Sequence, residues 1–148
     1  MRFIITARPG PDSPEPPDPN GPFDEALFSA YMKFNEEMHK AGVLVAAEGL
    51  KPEGNVARVT AKKGKRSVVD GPFTESKELV GGFYIIEVDT QEEAIEWALR
   101  CPTGLGFDDV LEIRALTGEN DIPEHLLELI RVAAPAWSAS IGLSRETV

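Results

Sequence analysis

The segment from residue 70 to residue 89 constrains the fold of this chain more than any other. It opens with Asp70-Gly71-Pro72. Aspartate caps its own backbone, glycine accepts positive φ and proline fixes φ at roughly −65°, so the chain must turn here. A charged stretch and Gly81-Gly82 then lead into the apolar run Phe83–Val88, which is typical of a buried strand. The sequence therefore brings ionisable groups to the mouth of a strand.

Hydrophobic periodicity on both sides of this segment indicates a mixed α+β domain. Apolar residues at spacings of three and four predict an amphipathic helix at 23–41. The capping-box spacing of Thr90 and Glu93, or alternatively of Asp89 and Glu92, predicts a second helix that Cys101-Pro102 ends. Short apolar or alternating runs predict strands at 2–7, 43–50, 83–88 and 110–116, with a β-hairpin at 56–69. Without the hairpin, the order is βαββαβ, which places two helices on one face of an antiparallel sheet.

Two segments lie outside this plan. Residues 9–22 contain seven prolines, which predicts an extended loop. The alternatives of a solvated excursion and a flap over a site both stay open. Beyond Gly118, the spacing of Asp121 and Glu124 around Pro123 predicts a capped third helix, and the apolar remainder is predicted to be irregular. We expect one domain over residues 1–148, with a C-terminal helical extension at 119–148.

Composition excludes several classes of function. The formal net charge of −10 opposes binding to a phosphate backbone, so we expect no nucleic-acid partner. The one cysteine, Cys101, has no partner for an internal disulfide, which fits a reducing cytoplasm. The apolar run Phe3-Ile4-Ile5 is too short for a signal-peptide core or a membrane span. We therefore expect a cytoplasmic protein with no membrane partner.

The central segment also carries a family resemblance. Its motif consists of Asp70-Gly71-Pro72-Phe73, Glu75, Lys77-Glu78, Gly81-Gly82 and the later run 93–98. This motif resembles the DGPF-domain, or YCII-related, proteins over about residues 2–116. The resemblance implies a ferredoxin-like α+β fold, here with an inserted hairpin and an extra C-terminal helix, that dimerises into an α/β barrel. The activity of the family is largely undefined, although a His and Asp pair in a cleft has been proposed as catalytic in simpler relatives.

Asp70 and His39 are the candidate catalytic residues. Asp70 is interpreted as a general base or imidazole anchor, and equally as a turn residue that caps Gly71 and Phe73. His39 is the only histidine within the region of resemblance, but a histidine near a helix C-terminus is also favoured by the helix dipole. Glu75, Lys77 and Glu78 are interpreted as the polar rim of a substrate pocket, or as a solvated charged turn.

Other site chemistries have no sequence signature. The histidine and cysteine spacing gives no metal site, and there is no phosphate-binding glycine loop or nucleophile elbow. We therefore expect no cofactor and no metal. The leading hypothesis is a homodimer that binds a small organic ligand and performs acid–base chemistry on it. The alternative is a non-catalytic regulatory or protein-interaction module that uses the acidic surface and the C-terminal helix.

Overall fold

A computed structural model describes residues 1–12, 24–51, 57–70, 80–102 and 109–143. Most of the proline-rich loop 9–22 lies outside the described residues, and so do Glu75, Lys77 and Glu78. The elements, in chain order, are β1 (Arg2–Pro9), α1 (Glu25–Lys40), β2 (Leu44–Gly49), β3 (Ala57–Lys62), β4 (Lys65–Asp70), β5 (Gly82–Glu87), α2 (Gln91–Leu99), β6 (Asp109–Ala115), α3 (Glu124–Ala133) and α4 (Pro135–Ser140).

Four strands form an antiparallel sheet in the order β2-β5-β1-β6. With the β3-β4 hairpin set aside, this is the ferredoxin-like arrangement of a βαββαβ chain, so the predicted fold is confirmed. The register pairs Ile5 with Tyr84 of β5 and with Ile113 of β6. Because side chains alternate along a strand, these three residues share one face of the sheet.

The core lies between that face and the two helices. Phe3, Met38 and Ile86 are fully buried, and Phe34 packs edge-on against Tyr84 with ring centroids 5.7 Å apart. Ala94 and Ala98 bring α2 close to the sheet, because alanine adds little bulk between a helix and its neighbour. Burial of these apolar side chains is the main favourable term for the fold.

Local signals fix the limits of α1 and α2. The Asp24 side chain caps the start of α1, because it accepts a hydrogen bond from the Leu27 amide at 3.0 Å. At the other end Gly42 has φ of 74° and Val43 donates to the Met38 carbonyl, a Schellman ending that glycine permits. The Thr90 hydroxyl caps α2, as predicted, by accepting a hydrogen bond from the Glu93 amide at 3.2 Å.

The chain beyond the sheet differs from the prediction in two respects. The predicted capping box at Asp121 and Glu124 is wrong. The Asp121 carboxylate instead accepts a hydrogen bond from the Gly118 amide in a short 3-10 turn. Helix α3 follows Pro123 and has no side-chain cap. The segment predicted to be irregular contains α4, which starts at Pro135, a residue preorganised for a first helical turn.

The hairpin β3-β4 forms a separate two-stranded sheet. Lys63 and Gly64 make its turn with positive φ at both positions, which suits the twist of a two-residue hairpin loop. Every residue from 57 to 69 is exposed. Among the described residues, none of the helices combines the length and apolar character needed to cross a bilayer.

Candidate functional site

A cavity of about 560 Å³ lies between α1 and the helix-facing side of the sheet. It opens at the sheet edge where β1 and β2 end and where β5 and β6 begin, so four chain segments meet there. Its volume is within the range of sites for small organic molecules. The cavity is therefore the strongest candidate site in the described part of the chain.

The walls of the cavity are mainly apolar and aromatic. Helix α1 contributes Phe28, Tyr31, Met32 and Asn35, which lie on one helix face because their spacing follows the helical repeat. The sheet contributes Ile5, Ala7, Ala47, Tyr84 and Leu111 from all four strands. Exposed Arg8, Glu48 and Lys51 also line the cavity, so the outer part carries charges of both signs.

Asn35 is the unusual group in this lining. Its Oδ1 is inaccessible to solvent and has no hydrogen-bond partner. Leaving a buried polar atom unpaired costs about 1–3 kcal/mol. Buried polar atoms in folded proteins almost always have partners, so an exception in a cavity wall needs a physical explanation.

Four titratable side chains cluster at the same cavity: Tyr31, Tyr84, Cys101 and Asp109. Burial, with a smaller contribution from the Cys101 and Asp109 charges, raises the pKa of Tyr31 to about 12. Burial likewise raises the pKa of Tyr84, and it raises the pKa of Cys101 to about 11 with a further contribution from Asp109. At neutral pH the tyrosines and the thiol are therefore uncharged hydrogen-bonding groups.

The Tyr31 hydroxyl has a defined orientation. It donates a hydrogen bond to the Pro102 carbonyl at 3.2 Å, which ties α1 to the segment after α2. Because this bond uses the hydroxyl proton, the remaining lone pairs of the oxygen can accept a hydrogen bond from a ligand.

A pair of glycines forms part of the cavity edge. The Gly81 amide donates to the Ala7 carbonyl at 2.7 Å, and a Cβ on Gly82 would lie 3.0 Å from the Glu48 carbonyl oxygen. A side chain at position 82 would therefore push β2 and β5 apart. Close backbone approach accounts for this glycine without any ligand.

The residues predicted from the sequence are not brought together within the described residues. His39 is exposed in the last turn of α1 and does not line the cavity. The backbone of Asp70 ends β4, but its side chain lies outside the described structure, as do Glu75, Lys77 and Glu78. The catalytic pairing of Asp70 with His39 therefore stays a prediction.

Sequence reasoning missed Asn35, Tyr31, Tyr84 and Asp109 as site residues. A signal was present for Asn35, which follows Tyr31 by one helical turn and is the polar member of that face. Cys101 is half-buried after the end of α2, and burial raises the pKa of its thiol. In the described ranges, no group of three or more His, Cys, Asp or Glu side chains is arranged to bind a metal.

Comparison with known proteins identifies the family. The YCII-related domain matches residues 1–117. An uncharacterized protein of Rhizobium meliloti (strain 1021) is 32% identical over 87 residues, which cover 51% of this chain and 70% of that protein. The chain therefore belongs to the YCII-related domain family.

A solved structure is also similar over most of the chain. It is 5-chloro-2-hydroxyhydroquinone dehydrochlorinase from Burkholderia phenoliruptrix AC1100, in complex with 2,5-dihydroxybenzoquinone. The match covers 82% of this chain and 100% of that chain, with 17% sequence identity and a TM-score of 0.39. A likeness of this size assigns neither a ligand nor a residue role to the present chain.

Proposed function

We propose that this YCII-related protein is a cytoplasmic homodimer whose cavity binds a small, uncharged, largely apolar organic molecule that carries a hydrogen-bond donor. One observation supports this proposal above the others, namely the solvent-shielded and unpartnered Oδ1 of Asn35 in the cavity wall. Because Oδ1 is shielded from the cavity as well as from bulk solvent, the Asn35 side chain would turn towards a bound molecule, and a donor group on that molecule would then recover the lost hydrogen bond.

The electrostatics of the cavity favour a neutral ligand. Tyr31, Tyr84 and Cys101 are uncharged at neutral pH because burial raises the pKa of each. Asp109 lies beside this cluster, so an anion placed there would meet a carboxylate rather than a cation. Arg8 and Lys51 line only the exposed outer part of the cavity. An anionic ligand buried beside Tyr31, Tyr84 and Asp109 would therefore lose its hydration at a greater cost than a hydroxyl or amide ligand.

Acid–base catalysis is the further part of the proposal. Asp70 would serve as a base or imidazole anchor, with His39 as its partner and Glu75, Lys77 and Glu78 as the polar rim. Two described acidic residues line the cavity, the exposed Glu48 and the partly buried Asp109, and Asp109 is the one whose charge acts on Tyr31. Asp109 is therefore a second candidate for proton transfer at this site.

An exposed apolar surface favours one alternative, a protein-interaction module. Leu129, Val132 and Trp137 on α3 and α4 are 59%, 68% and 57% exposed. Large apolar side chains exposed on neighbouring helices are found at protein-binding surfaces. In this alternative the C-terminal helices contact a regulatory partner, and the cavity has no ligand of its own.

Calorimetric binding of two matched probes tests the ligand proposal. We expect 2-naphthol to bind at least about tenfold more tightly than 2-naphthoate at neutral pH, because burying the carboxylate costs more than about 1.4 kcal/mol. Ala47→Leu, which fills the cavity, should abolish binding of 2-naphthol. Ala46→Leu is the matched control, since Ala46 is the preceding residue of β2 and does not line the cavity. Equal affinities for the two probes, or no binding of either, would contradict the proposal.

A further inference from the structure

The outer edge of β6 presents a regular row of free backbone groups. Strand β6 lies at one edge of the four-stranded sheet, beside β1. The Leu116 amide donates to the Arg2 carbonyl, which fixes the residues whose backbone groups are directed towards β1. By the alternation of an antiparallel ladder, Leu111, Ile113 and Ala115 direct their amides and carbonyls outwards. These outward groups form no hydrogen bond to any described residue, so the edge can pair with another strand.

The opposite edge of the sheet is less suited to such pairing. Its strand β2 changes register with β5 between Leu44 and Ala46, and an irregularity of this kind disfavours pairing with a further strand. Strand β6, in contrast, pairs with β1 without a shift along its seven residues and contains no proline. Among the described elements, β1 and α2 have extensive contact with β6, whereas α3 and α4 pack mainly on each other.

Two charged side chains lie on the open face of β6, the face turned away from the helices. Glu112 and Arg114 are two residues apart, so they share this face, and both are exposed. Their neighbours on β1 are Thr6 and Ile4, which carry no charge. In the described structure neither Glu112 nor Arg114 has an ion-pair or hydrogen-bond partner. An acid and a base at this spacing can each find a partner in a second copy of the same strand.

One register of β6 against β6 of a second copy matches these charges. With an antiparallel two-fold axis at Ile113, Glu112 of each chain lies opposite Arg114 of the other. Leu111 then lies opposite Ala115, so a large side chain meets a small one. The outward backbone groups of the two chains meet as hydrogen-bonded pairs in this register. An axis at Glu112 or at Arg114 would instead place two like charges opposite each other, which destabilises a strand pair.

We propose that the β6 edges of two copies of this chain pair antiparallel about Ile113 and join the two four-stranded sheets into one. This inference rests on the homodimer of the proposed function and identifies the surface through which it forms. The irregular β2 strands remain at the two outer edges of the joined sheet, so pairing stops at two copies. Packing of two open sheet faces against each other would use a different surface, and the test distinguishes it.

Charge reversal in the full-length chain tests the register. In a two-fold dimer each charge pair occurs twice, so Glu112→Arg and Arg114→Glu each replace two opposite-charge pairs with two like-charge pairs. By sedimentation velocity over a concentration series, each single variant should raise the dimer dissociation constant at least about tenfold. The exchange variant that carries both substitutions should restore it. Native mass spectrometry of the two single variants in equal amounts should show a heterodimer, because each chain supplies the charge that the other lacks.

Matched variants separate this contact from a change in net charge or folding. Lys33→Glu and Glu96→Arg alter the net charge as much as Arg114→Glu and Glu112→Arg do, and they lie at exposed helix positions. Both should leave the dissociation constant unchanged. Circular dichroism confirms that each variant is folded.

The outcomes separate the proposed contact from the homodimer itself. Single variants that dimerise as tightly as the wild type, or an exchange variant that stays weak, would overturn the inference and leave the homodimer to another surface, such as the open sheet faces. A wild-type chain that is monomeric at all concentrations would overturn both the inference and the homodimer, but would not affect binding of 2-naphthol in the cavity.

Discussion

At the residue scale, Asn35 lies on the helix that packs against the core, yet its unpaired amide oxygen lowers the stability of the fold. It lies between Phe34 and the fully buried Met38 on α1, where an apolar side chain would pack without penalty. Its Oδ1 has instead no partner and no access to solvent. Residues that reduce stability in a cavity wall are typical of binding sites, because recognition and packing favour different side chains.

Asn35→Leu should therefore stabilise the protein and weaken ligand binding at the same time. Removing the unpaired amide should raise the free energy of unfolding by about 1 kcal/mol, and binding of 2-naphthol should be lost. Thermal or urea denaturation measures the first effect and calorimetry the second. Asn120→Leu, at an exposed position in the 3-10 turn, is the control and should change neither quantity. A destabilised Asn35→Leu protein would show that the amide already has a partner.

Residue patterns predicted the site only in part. The turn chemistry at Asp70 and the family motif point to the sheet edge at which β5 begins, and the cavity does open there. The titratable groups of the cavity come from α1, from β5, from the residues after α2 and from the start of β6. No local spacing connects Tyr31 with Tyr84 or Asp109, because only the folded sheet brings them together. The helical repeat could have placed Asn35 on the same face of α1 as Tyr31. That its Oδ1 lacks a hydrogen-bond partner depends on tertiary packing, which the repeat does not reveal.

At the element scale, capping and turn residues predicted the limits of helices and strands best where tertiary packing favours the same limits. The α1 helix, its glycine ending and the Thr90 cap follow from residues within one or two turns. The β3-β4 hairpin follows from alternation and its Lys-Gly turn. The start of α3 could not be predicted in this way, because Asp121 binds backwards to Gly118 rather than forwards into the helix. An aspartate side chain can accept hydrogen bonds from nearby backbone amides on either side, so residue spacing alone does not determine that boundary.

The C-terminal helices form contacts mainly with each other. The Arg131 side chain donates to the Leu143 carbonyl at 3.1 Å and pairs with Glu124 and Glu128, which joins α3 to the residues after α4. Leu127 and Leu143 are buried, yet neither belongs to the core cluster of the sheet and its helices. The predicted single domain over residues 1–148 therefore stays a prediction that a truncation can test.

Residues 1–117 should fold without the C-terminal helices. The core cluster is complete within this part of the chain, so the truncated protein should lose only the helical circular dichroism signal of α3 and α4 and should still unfold cooperatively. Its binding of 2-naphthol should match that of the full chain, since every described residue of the cavity precedes residue 117. An Arg131→Met full-length variant serves as a comparison that loosens only the C-terminal contact. Loss of cooperative unfolding on truncation would show that the helices belong to the same folding unit as the sheet.

At the scale of the whole molecule, both tyrosines of the chain lie in the cavity. Burial raises the pKa of Tyr31 to about 12 and raises that of Tyr84 as well, and the pKa of Cys101 rises to about 11. In the unfolded chain these groups ionise near their ordinary values of 10.0 and 9.0. Between the two sets of values the folded protein binds more protons than the unfolded chain, so stability falls as pH rises.

Stability should accordingly be insensitive to these groups below pH about 9 and should decline progressively above it. Because the chain has no other tyrosine, tyrosinate absorbance reports the cavity alone. In an alkaline titration we expect this absorbance to rise together with loss of the far-ultraviolet circular dichroism signal, at a pH above 10.0, the ordinary tyrosine value. Tyr31→Phe should make the decline in stability shallower, since one of the two titrating phenols is removed. A reversible rise in absorbance near that ordinary value, with the circular dichroism spectrum unchanged, would show that the tyrosines are solvated and that the cavity is open to bulk water.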